Sequence, residues 1–270
     1  MNARGRATDM SSDFDRELAD GLALPFAGWD FSPIATRWRT SGPPWDFAGL
    51  LKEKIRVVSS MVDLGTGGGE FLASLAPLPR VAYATESYPA NLAIASRRLA
   101  PMGVSVRPIG PGLRLPLPDN SVELVISRHE DFSGPEVFRI LTFGGYFITQ
   151  QVGTRNNVEL AEKFGAEPTR PTNNVSSAAG LAGEISSSGF VIEDKAEATY
   201  TTEFLDLGAV VYYLRAIPWE VPGFSVERHR EQLKGIHREI RRNGSFRATT
   251  HRLLVVARRG VRAAAATRPS

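Results

Sequence analysis

The fold is decided by the stretch Val62-Asp-Leu-Gly-Thr-Gly-Gly-Gly-Glu70, in which an apolar strand leads through a glycine-rich turn into a helix. The pattern predicts a strand over Ser59–Asp63 and a helix over Glu70–Leu75. Glycines in such a turn let the backbone approach a ligand closely, and the helix that follows presents unpaired N–H groups. In an open α/β sheet, ligands bind at the carboxyl ends of the strands, beside the first strand. The turn therefore predicts a ligand-binding site.

Strands and helices alternate on both sides of this turn. A helix over Phe47–Val57 precedes it, and a strand over Val81–Thr85 and a helix over Tyr88–Leu99 follow it. Further strands are predicted over residues 104–107, 122–127, 145–151, 190–196 and 252–257, and further helices over 135–141, 158–164, 178–188, 208–214 and 228–241. This order predicts a doubly wound α/β fold whose mostly parallel sheet has about seven strands and helices on both faces.

One main domain is expected from a chain of 270 residues. We place it over residues 47–258, with a substrate-side insertion at about 200–245. Residues 1–46 are expected to form a helical and aromatic N-terminal extension, partly disordered, which either packs on the domain edge or acts as a lid. Residues 259–270, rich in Ala and Arg, are expected to be a mobile tail.

Composition excludes several classes of protein. The chain has no cysteine, so it forms neither disulfides nor thiolate metal sites. No apolar run is long enough for a membrane span, and the first residues lack the apolar core of a signal peptide, so we expect a cytoplasmic protein without membrane contacts. We expect no metal site, because the four histidines are dispersed and form no His-x-x-x-His pair: His129, His229, His237 and His251.

The glycine spacing separates two kinds of adenosine cofactor. A dinucleotide site requires Gly-x-Gly-x-x-Gly, but counting from Gly65 the third position is Glu70, whose charge would repel a pyrophosphate. An amino acid that carries a sulfonium meets no such repulsion, which favours S-adenosylmethionine. Glu86 ends the second strand and suits the ribose hydroxyls of either cofactor, while Tyr88 suits the adenine edge. Asp63 is suited to orient the turn or to attract the methionine ammonium group.

Four segments in this order resemble the class I methyltransferases of the methyltransferase type 11 kind. They are Val62–Gly69, Ala-Thr-Glu86, Leu115-Pro-Leu-Pro-Asp-Asn-Ser-Val-Glu-Leu-Val-Ile126 and Arg139-Ile-Leu-Thr-Phe-Gly-Gly-Tyr-Phe147, and the similarity covers residues 61–151. The resemblance implies a Rossmann-like methyltransferase fold that binds S-adenosylmethionine. It also implies that Glu86 holds the ribose, and that the methionine part contacts the first motif, with Asp63, Gly65, Thr66, Gly67 and Gly69.

One departure from the family pattern concerns the adenine. The family often has an Asp for the adenine amino group just before the Leu-Pro element, but Arg107–Arg114 contains no acid. Adenine recognition must then use backbone groups or apolar packing.

The residues after the fourth strand, Ser127-Arg-His-Glu-Asp131, are the most ionisable cluster near the expected site. The resemblance implies that they face the transferred methyl group. Methyl transfer is an in-line displacement that requires alignment and, for many acceptors, removal of a proton. His129 suits proton transfer near neutral pH, and Glu130 suits orienting His129 or holding a substrate amine, so both are predicted to be catalytic. Arg128 is assigned to the cofactor, or alternatively to a structural pair with Glu130.

The predicted function is methyl transfer to an oxygen or nitrogen atom of a small organic molecule, because aromatic segments over 25–47 and 206–219 flank the expected site. The amides of Gln150 and Gln151 suit a planar acceptor at the sheet's rim. A different acceptor, ribosomal or transfer RNA, is suggested by residues 213–270, which carry 13 Lys and Arg against 4 Asp and Glu. Two hypotheses of another kind are an NAD(P)-dependent oxidoreductase and a non-catalytic cofactor-binding protein.

Overall fold

A computed structural model describes residues 3–26, 29–110, 113–167 and 176–260, with side chains described from residue 13 onward. These residues form two compact units. The sheet unit consists of Trp45–Val152, Thr172–Glu197 and Arg252–Ser270, and the helical unit consists of Met1–Pro44, Gly153–Pro171 and Ala198–His251.

The helices are α1 Ala3–Ala23, α2 Phe47–Ile55, α3 Glu70–Ser74, α4 Pro89–Leu99, α5 Gly134–Ile140, α6 Val158–Phe164, α7 Ala178–Ser187, α8 Leu207–Ala216 and α9 Arg230–Asn243. The strands are β1 Trp38–Thr40, β2 Ser60–Leu64, β3 Val81–Glu86, β4 Val104–Pro108, β5 Val122–Arg128, β6 Leu141–Val152, β7 Phe190–Phe204 and β8 Phe246–Arg259. β7 and β8 are 15 and 14 residues long. Residues 190–197 of β7 and 252–259 of β8 belong to the sheet unit, and the rest of each strand belongs to the helical unit.

In the sheet unit the strand order is β7, β8, β6, β5, β2, β3, β4. β2 is parallel to β3 and β5, β3 to β4, and β5 to β6, whereas β8 runs antiparallel to β6. The chain order of the strands reverses at β2, which is the position where open α/β sheets bind ligands. The predicted doubly wound, mostly parallel fold is therefore confirmed.

The predicted strand count of about seven is one too low, because the described sheet has eight strands. The additional strand is β1, whose residues 38–40 pair antiparallel with residues 202–204 of β7. Three residues are too few to show the period of two that identifies a strand in a sequence. The sequence therefore predicts only an irregular aromatic segment there.

The two faces of β2 and β5 explain why helices cover both sides of the sheet. Val62 and Val125 belong to an apolar cluster that includes residues of α5 and α7, whereas Met61 and Leu124 belong to a second cluster with α2 and α4. Successive side chains of a strand point to opposite faces, so a continuous apolar run needs a helix on each face. With both faces covered, the carboxyl ends of the strands are the expected place for a ligand.

The helical unit is built on contacts between α1 and α8. A Cβ at Gly21 would lie 2.6 Å from the backbone oxygen of Gly208, so the two helices cross with their backbones in contact. The Arg37 guanidinium donates two hydrogen bonds to Asp206, at 2.7 and 2.6 Å. Within the N-terminal extension the sequence predicts a short helix over residues 13–23, after a disordered start, whereas α1 spans Ala3–Ala23.

Within the described part of the chain, no helix is long and apolar enough to cross a membrane. Most of the predicted mobile tail, residues 261–270, lies outside the described residues.

Candidate active site

The glycine-rich turn between β2 and α3 folds back on the end of β3. Gly65, Gly67 and Gly69 have φ angles of +63°, +61° and +83°, a region that residues with a side chain adopt only at a cost. The Thr66 N–H donates to the Thr85 carbonyl at 2.9 Å, which ties the turn to β3. The three glycines therefore give the turn its shape.

Glu86, at the end of β3, is buried and holds the turn in place. Its Oε2 accepts a hydrogen bond from the Gly67 N–H at 2.7 Å, and its Oε1 accepts one from the Tyr88 N–H at 2.8 Å. Each carboxylate oxygen has two acceptor sites, so one on each oxygen remains for a ligand hydroxyl. The geometry fits a carboxylate that supports the turn and also accepts from a ribose.

Asp63 lies at the end of β2 and is almost completely buried, with 3% of its surface exposed. Burial raises the pKa of Asp63 from 3.8 to about 7, and the charge of Glu86 contributes to the rise. The Thr66 hydroxyl and the Arg128 guanidinium oppose the shift, since both favour the charged form. Asp63 is therefore a carboxyl group that titrates near neutral pH.

Glu130 lies directly against the turn. A Cβ at Gly65 would be 2.2 Å from Cγ of Glu130 and 2.5 Å from its carboxyl carbon, so the absence of a side chain at Gly65 makes room for Glu130. Burial and the charges of Glu86, Asp131 and Asp63 raise the pKa of Glu130 to about 7. Three carboxyl groups, from Asp63, Glu86 and Glu130, thus face the glycine turn.

Arg128, the last residue of β5, supplies a positive charge near these carboxyl groups. Its guanidinium carbon lies 4.1 Å from the centre of the Phe71 ring, an arrangement typical of a cation–π contact. Nearby protein atoms partly desolvate the exposed guanidinium and lower the pKa of Arg128, and the charge of Asp63 partly offsets that effect. The guanidinium remains charged and is held beside the turn by an aromatic ring of α3.

His129 has a left-handed backbone, with φ of +62°, which is uncommon for a residue other than glycine. Its N–H donates to the Gln150 carbonyl at 2.8 Å. Its side chain is exposed at the surface, but nearby protein atoms still partly desolvate the ring. This desolvation, together with the charges of Arg252 and Arg128, holds the pKa of His129 well below 6.5. The imidazole is therefore neutral at physiological pH.

The two glutamines at the end of β6 hold the loop after β5. Gln150 Oε1 accepts from the Trp45 indole N–H at 2.9 Å, and Gln150 Nε2 lies 3.3 Å from His129 Nε2. The Gln151 amide donates to the Glu130 carbonyl at 2.9 Å and to the Ser127 hydroxyl at 3.2 Å. The sequence predicts these amides as contacts to an acceptor, but their partners here are the residues of the candidate site.

Sequence reasoning missed Phe71 and the bond from Trp45 to Gln150. Phe71 is an ordinary apolar position of a short helix, and Trp45 and Gln150 are separated by 105 residues. No local signal connects them. Tyr88 precedes α4 and is 56% exposed, and residues 111 and 112 of the segment expected near the adenine lie outside the described residues.

The donor set fits S-adenosylmethionine better than a dinucleotide. Three carboxyl groups suit a ligand with an ammonium and a sulfonium charge, and Arg128 suits the carboxylate of an amino acid. The same carboxyl groups would repel a pyrophosphate. Among the described residues, no group of three or more His, Asp or Glu side chains is arranged to hold a metal ion.

Comparison with known proteins agrees with this geometry. The sequence model of the family described as "Methyltransferase domain" matches residues 62–149, which include the turn, Glu86 and the loop after β5. No curated protein matches the sequence.

Among solved structures, a protein from Bacillus halodurans described as a candidate methyltransferase is similar, with a TM-score of 0.57 and 15% identity over 80% of this chain and 99% of its own. The YcgJ protein from Bacillus subtilis has a TM-score of 0.52 and 16% sequence identity, over 79% of this chain and 97% of its own. The [4+2]-cyclase SpnF has a TM-score of 0.50 and 15% sequence identity, over 96% of this chain and 95% of its own. At this identity the likeness concerns the fold alone, and the cyclase illustrates that one fold serves more than one chemistry.

Proposed function

Because this chain is a class I, S-adenosylmethionine-dependent methyltransferase, we propose that it transfers the methyl group to an oxygen or nitrogen atom of a small organic molecule. The observation that carries the cofactor assignment is the meeting of Asp63, Glu86 and Glu130 at one glycine turn. S-adenosylmethionine supplies an activated methyl group on a sulfonium. The carboxyl groups of this site supply negative charge where that cation would lie.

Each predicted cofactor residue has a role in this proposal. Glu86 accepts from the ribose hydroxyls while it keeps its bonds to the Gly67 and Tyr88 amides. The backbone of Gly65, Thr66 and Gly69 lines the methionine part, and Asp63 attracts its ammonium group. Arg128 pairs with the methionine carboxylate, and Tyr88 packs on the adenine edge.

Glu130 is proposed as the group that removes a proton from the acceptor. A carboxyl group with a pKa of about 7 is half ionised at neutral pH and can take a proton from a protonated amine or an acidic hydroxyl. His129 is its neighbour on the same loop and contacts the acceptor as a neutral imidazole. Both residues follow β5, on the side of the sheet where the strands end.

A small acceptor is favoured over RNA because much of the C-terminal positive charge already has partners. In the helical unit, Arg241 lies 3.3 Å from Asp13, Arg247 donates to Glu203 at 2.8 Å, and Arg215 donates to the carbonyls of Gly21 and Leu22. Their acidic partners offset part of the positive charge that a phosphate backbone would meet. The exposed aromatic rings of this unit, Phe26, Trp29 and Trp219, instead suit contacts with an organic molecule.

The test is transfer of a labelled methyl group from S-adenosylmethionine to two sets of acceptors. One set contains small hydroxylated and aminated aromatic and aliphatic molecules, and the other contains bulk ribosomal and transfer RNA at low and high salt. Label on small molecules only supports the proposal, and label on RNA would overturn its acceptor class. The Gly65→Ala variant is the control for background transfer, since it blocks the cofactor turn.

A further inference from the structure

Trp45, Gln150 and His129 form a line of three hydrogen-bonding side chains in the sheet unit. The Trp45 indole N–H donates to Gln150 Oε1 at 2.9 Å. The Gln150 amide nitrogen lies 3.3 Å from His129 Nε2. Gln150, the middle residue of the line, is buried, with 7% of its surface exposed.

The hydrogen-bonding chemistry of Trp45 determines, through Gln150, which ring nitrogen of His129 carries the proton. An indole nitrogen only donates, so Gln150 must turn its oxygen toward Trp45. The amide NH₂ of Gln150 then faces His129, and that group also only donates. His129 Nε2 must therefore accept, which means that it carries no proton. A neutral imidazole with an unprotonated Nε2 carries its proton on Nδ1.

The backbone fixes the histidine against the same glutamine. The His129 N–H donates to the Gln150 carbonyl at 2.8 Å, and the backbone of His129 has a left-handed φ of +62°. Strained backbone of this kind is concentrated at functional sites, where surrounding contacts maintain it. The charged groups that act on the ring are Arg128 from β5 and Arg252 from β8, and Glu130 is the next residue of the loop. Both arginines disfavour an imidazolium.

We propose that Trp45 and Gln150 are positioning residues that hold His129 as the neutral Nδ1–H tautomer. His129 then meets the methyl acceptor as a hydrogen-bond donor through Nδ1, and proton acceptance is left to Glu130. The inference rests on the proposed function for the placement of the acceptor near His129. The tautomer itself follows from the three side chains alone.

The direct test is nitrogen-15 NMR of the histidine rings in the full chain, without cofactor or acceptor. Long-range proton–nitrogen correlations distinguish a pyridine-like from a pyrrole-like nitrogen, and His129→Asn assigns the signals among the four histidines. We expect a pyridine-like Nε2 and a pyrrole-like Nδ1 for His129 at pH 7. A pyrrole-like Nε2, or two protonated nitrogens, would overturn the inference.

Two variants test the cause of the tautomer. In Gln150→Glu the carboxylate accepts from both neighbours, so His129 is expected to switch to Nε2–H and its pKa to rise by about one unit or more. In Trp45→Phe the amide is free to turn over, and a mixture of tautomers is expected. Trp219→Phe removes an exposed indole of the helical unit and should leave the His129 signals unchanged. Unchanged signals in Gln150→Glu would contradict the inference.

Kinetics distinguish positioning from loss of structure. Gln150→Glu is expected to lower kcat about tenfold, with the KM for S-adenosylmethionine within about twofold of wild type, because no cofactor contact is removed. A Gln150→Glu variant with the wild-type tautomer and reduced kcat would refute the positioning role. If the wild-type chain transfers no methyl group, the proposed function fails while the NMR result still decides the tautomer.

Discussion

The glycine turn after β2 and the loop after β5 lie side by side at the same edge of the sheet, yet they are specified in different ways. The turn is shaped by backbone geometry, with three glycines at positive φ and one carboxylate, Glu86, that accepts from the Gly67 N–H. The loop is shaped by side chains from elsewhere, since Gln150 and Gln151 of β6 hold His129 and Glu130. The turn can therefore be predicted from a short stretch of sequence, whereas the loop cannot.

In the proposed function the turn binds the cofactor and the loop carries the catalytic residues. Changes in the turn should weaken cofactor binding, whereas changes in the loop should slow turnover with less effect on binding. Three substitutions test this division and a fourth tests the charge state of Asp63, and they are given from the largest expected effect to the smallest.

Glu130→Gln should have the largest effect, because it removes the proposed proton acceptor. We expect kcat to fall about 1,000-fold, within the usual range for loss of a general base. In the wild type, kcat should rise with pH and level off above about 7, since Glu130 must be ionised to accept a proton. The variant should lose this rise. A pH–rate profile of both proteins is the measurement, and an unchanged profile in the variant would remove Glu130 from the reaction.

Gly65→Ala should weaken binding of S-adenosylmethionine about 100-fold. The new methyl group would adopt an unfavourable φ of +63° and would lie 2.2 Å from Cγ of Glu130. Gly103→Ala is the matched control, since Gly103 also has a positive φ, of +76°, but nothing lies within 4 Å of its Cβ position. Calorimetric titration measures both variants. Equal losses of affinity in the two would show that the effect is general strain rather than blockage of the site.

Glu86→Ala should weaken cofactor binding about 30-fold, the value expected for losing charge-assisted hydrogen bonds to a ribose. It also removes the acceptor of the Gly67 and Tyr88 amides, so the turn should become more mobile. Glu123→Ala serves as the control, because Glu123 accepts from the Ser59 N–H at the opposite end of the strands. Wild-type affinity in Glu86→Ala would contradict the ribose assignment.

Asp63→Asn should have the smallest effect and should act on stability. The pKa of Asp63 is raised on folding, so its stabilising contribution is complete below about pH 4 and is lost as the pH rises through about 7. At pH 8 the buried charge destabilises the fold, and the neutral amide should raise Tm by roughly 5 °C without cofactor. At pH 5 the gain should be smaller. Thermal unfolding at both pH values measures the difference, and Asp194→Asn, at an exposed position, should show none.

The elements of the fold could be predicted because the sheet unit follows simple rules. Buried strands contain apolar runs, such as residues 253–257 of β8, and α4 shows the helical spacing of Ala95 and Leu99. β1 could not be predicted, because three residues carry no period and its partner is more than 160 residues away. The pairing of Trp38 with Phe204 is a tertiary contact, and no local pattern encodes it.

The candidate site divides in the same way. The glycines and Glu86 could be proposed from spacing alone, because a turn after a strand has few geometries. The charge states of Asp63 and Glu130 could not, since they arise from burial and from carboxyl groups that the fold brings together. Sequence reasoning gave the base role to His129 because a free imidazole titrates near neutral pH. The surroundings of His129 and Glu130 favour the opposite assignment, which we propose.

The central claim is that an acidic glycine turn binds S-adenosylmethionine. Calorimetric titration of the wild-type protein with S-adenosylmethionine, S-adenosylhomocysteine and NAD at pH 6 and pH 8 tests it most directly. We predict saturable binding of the first two, with tighter binding of S-adenosylmethionine at pH 8, where Asp63 and Glu130 are ionised, and no saturable binding of NAD. Binding of NAD alone, or binding of S-adenosylmethionine that weakens from pH 6 to pH 8, would contradict the account.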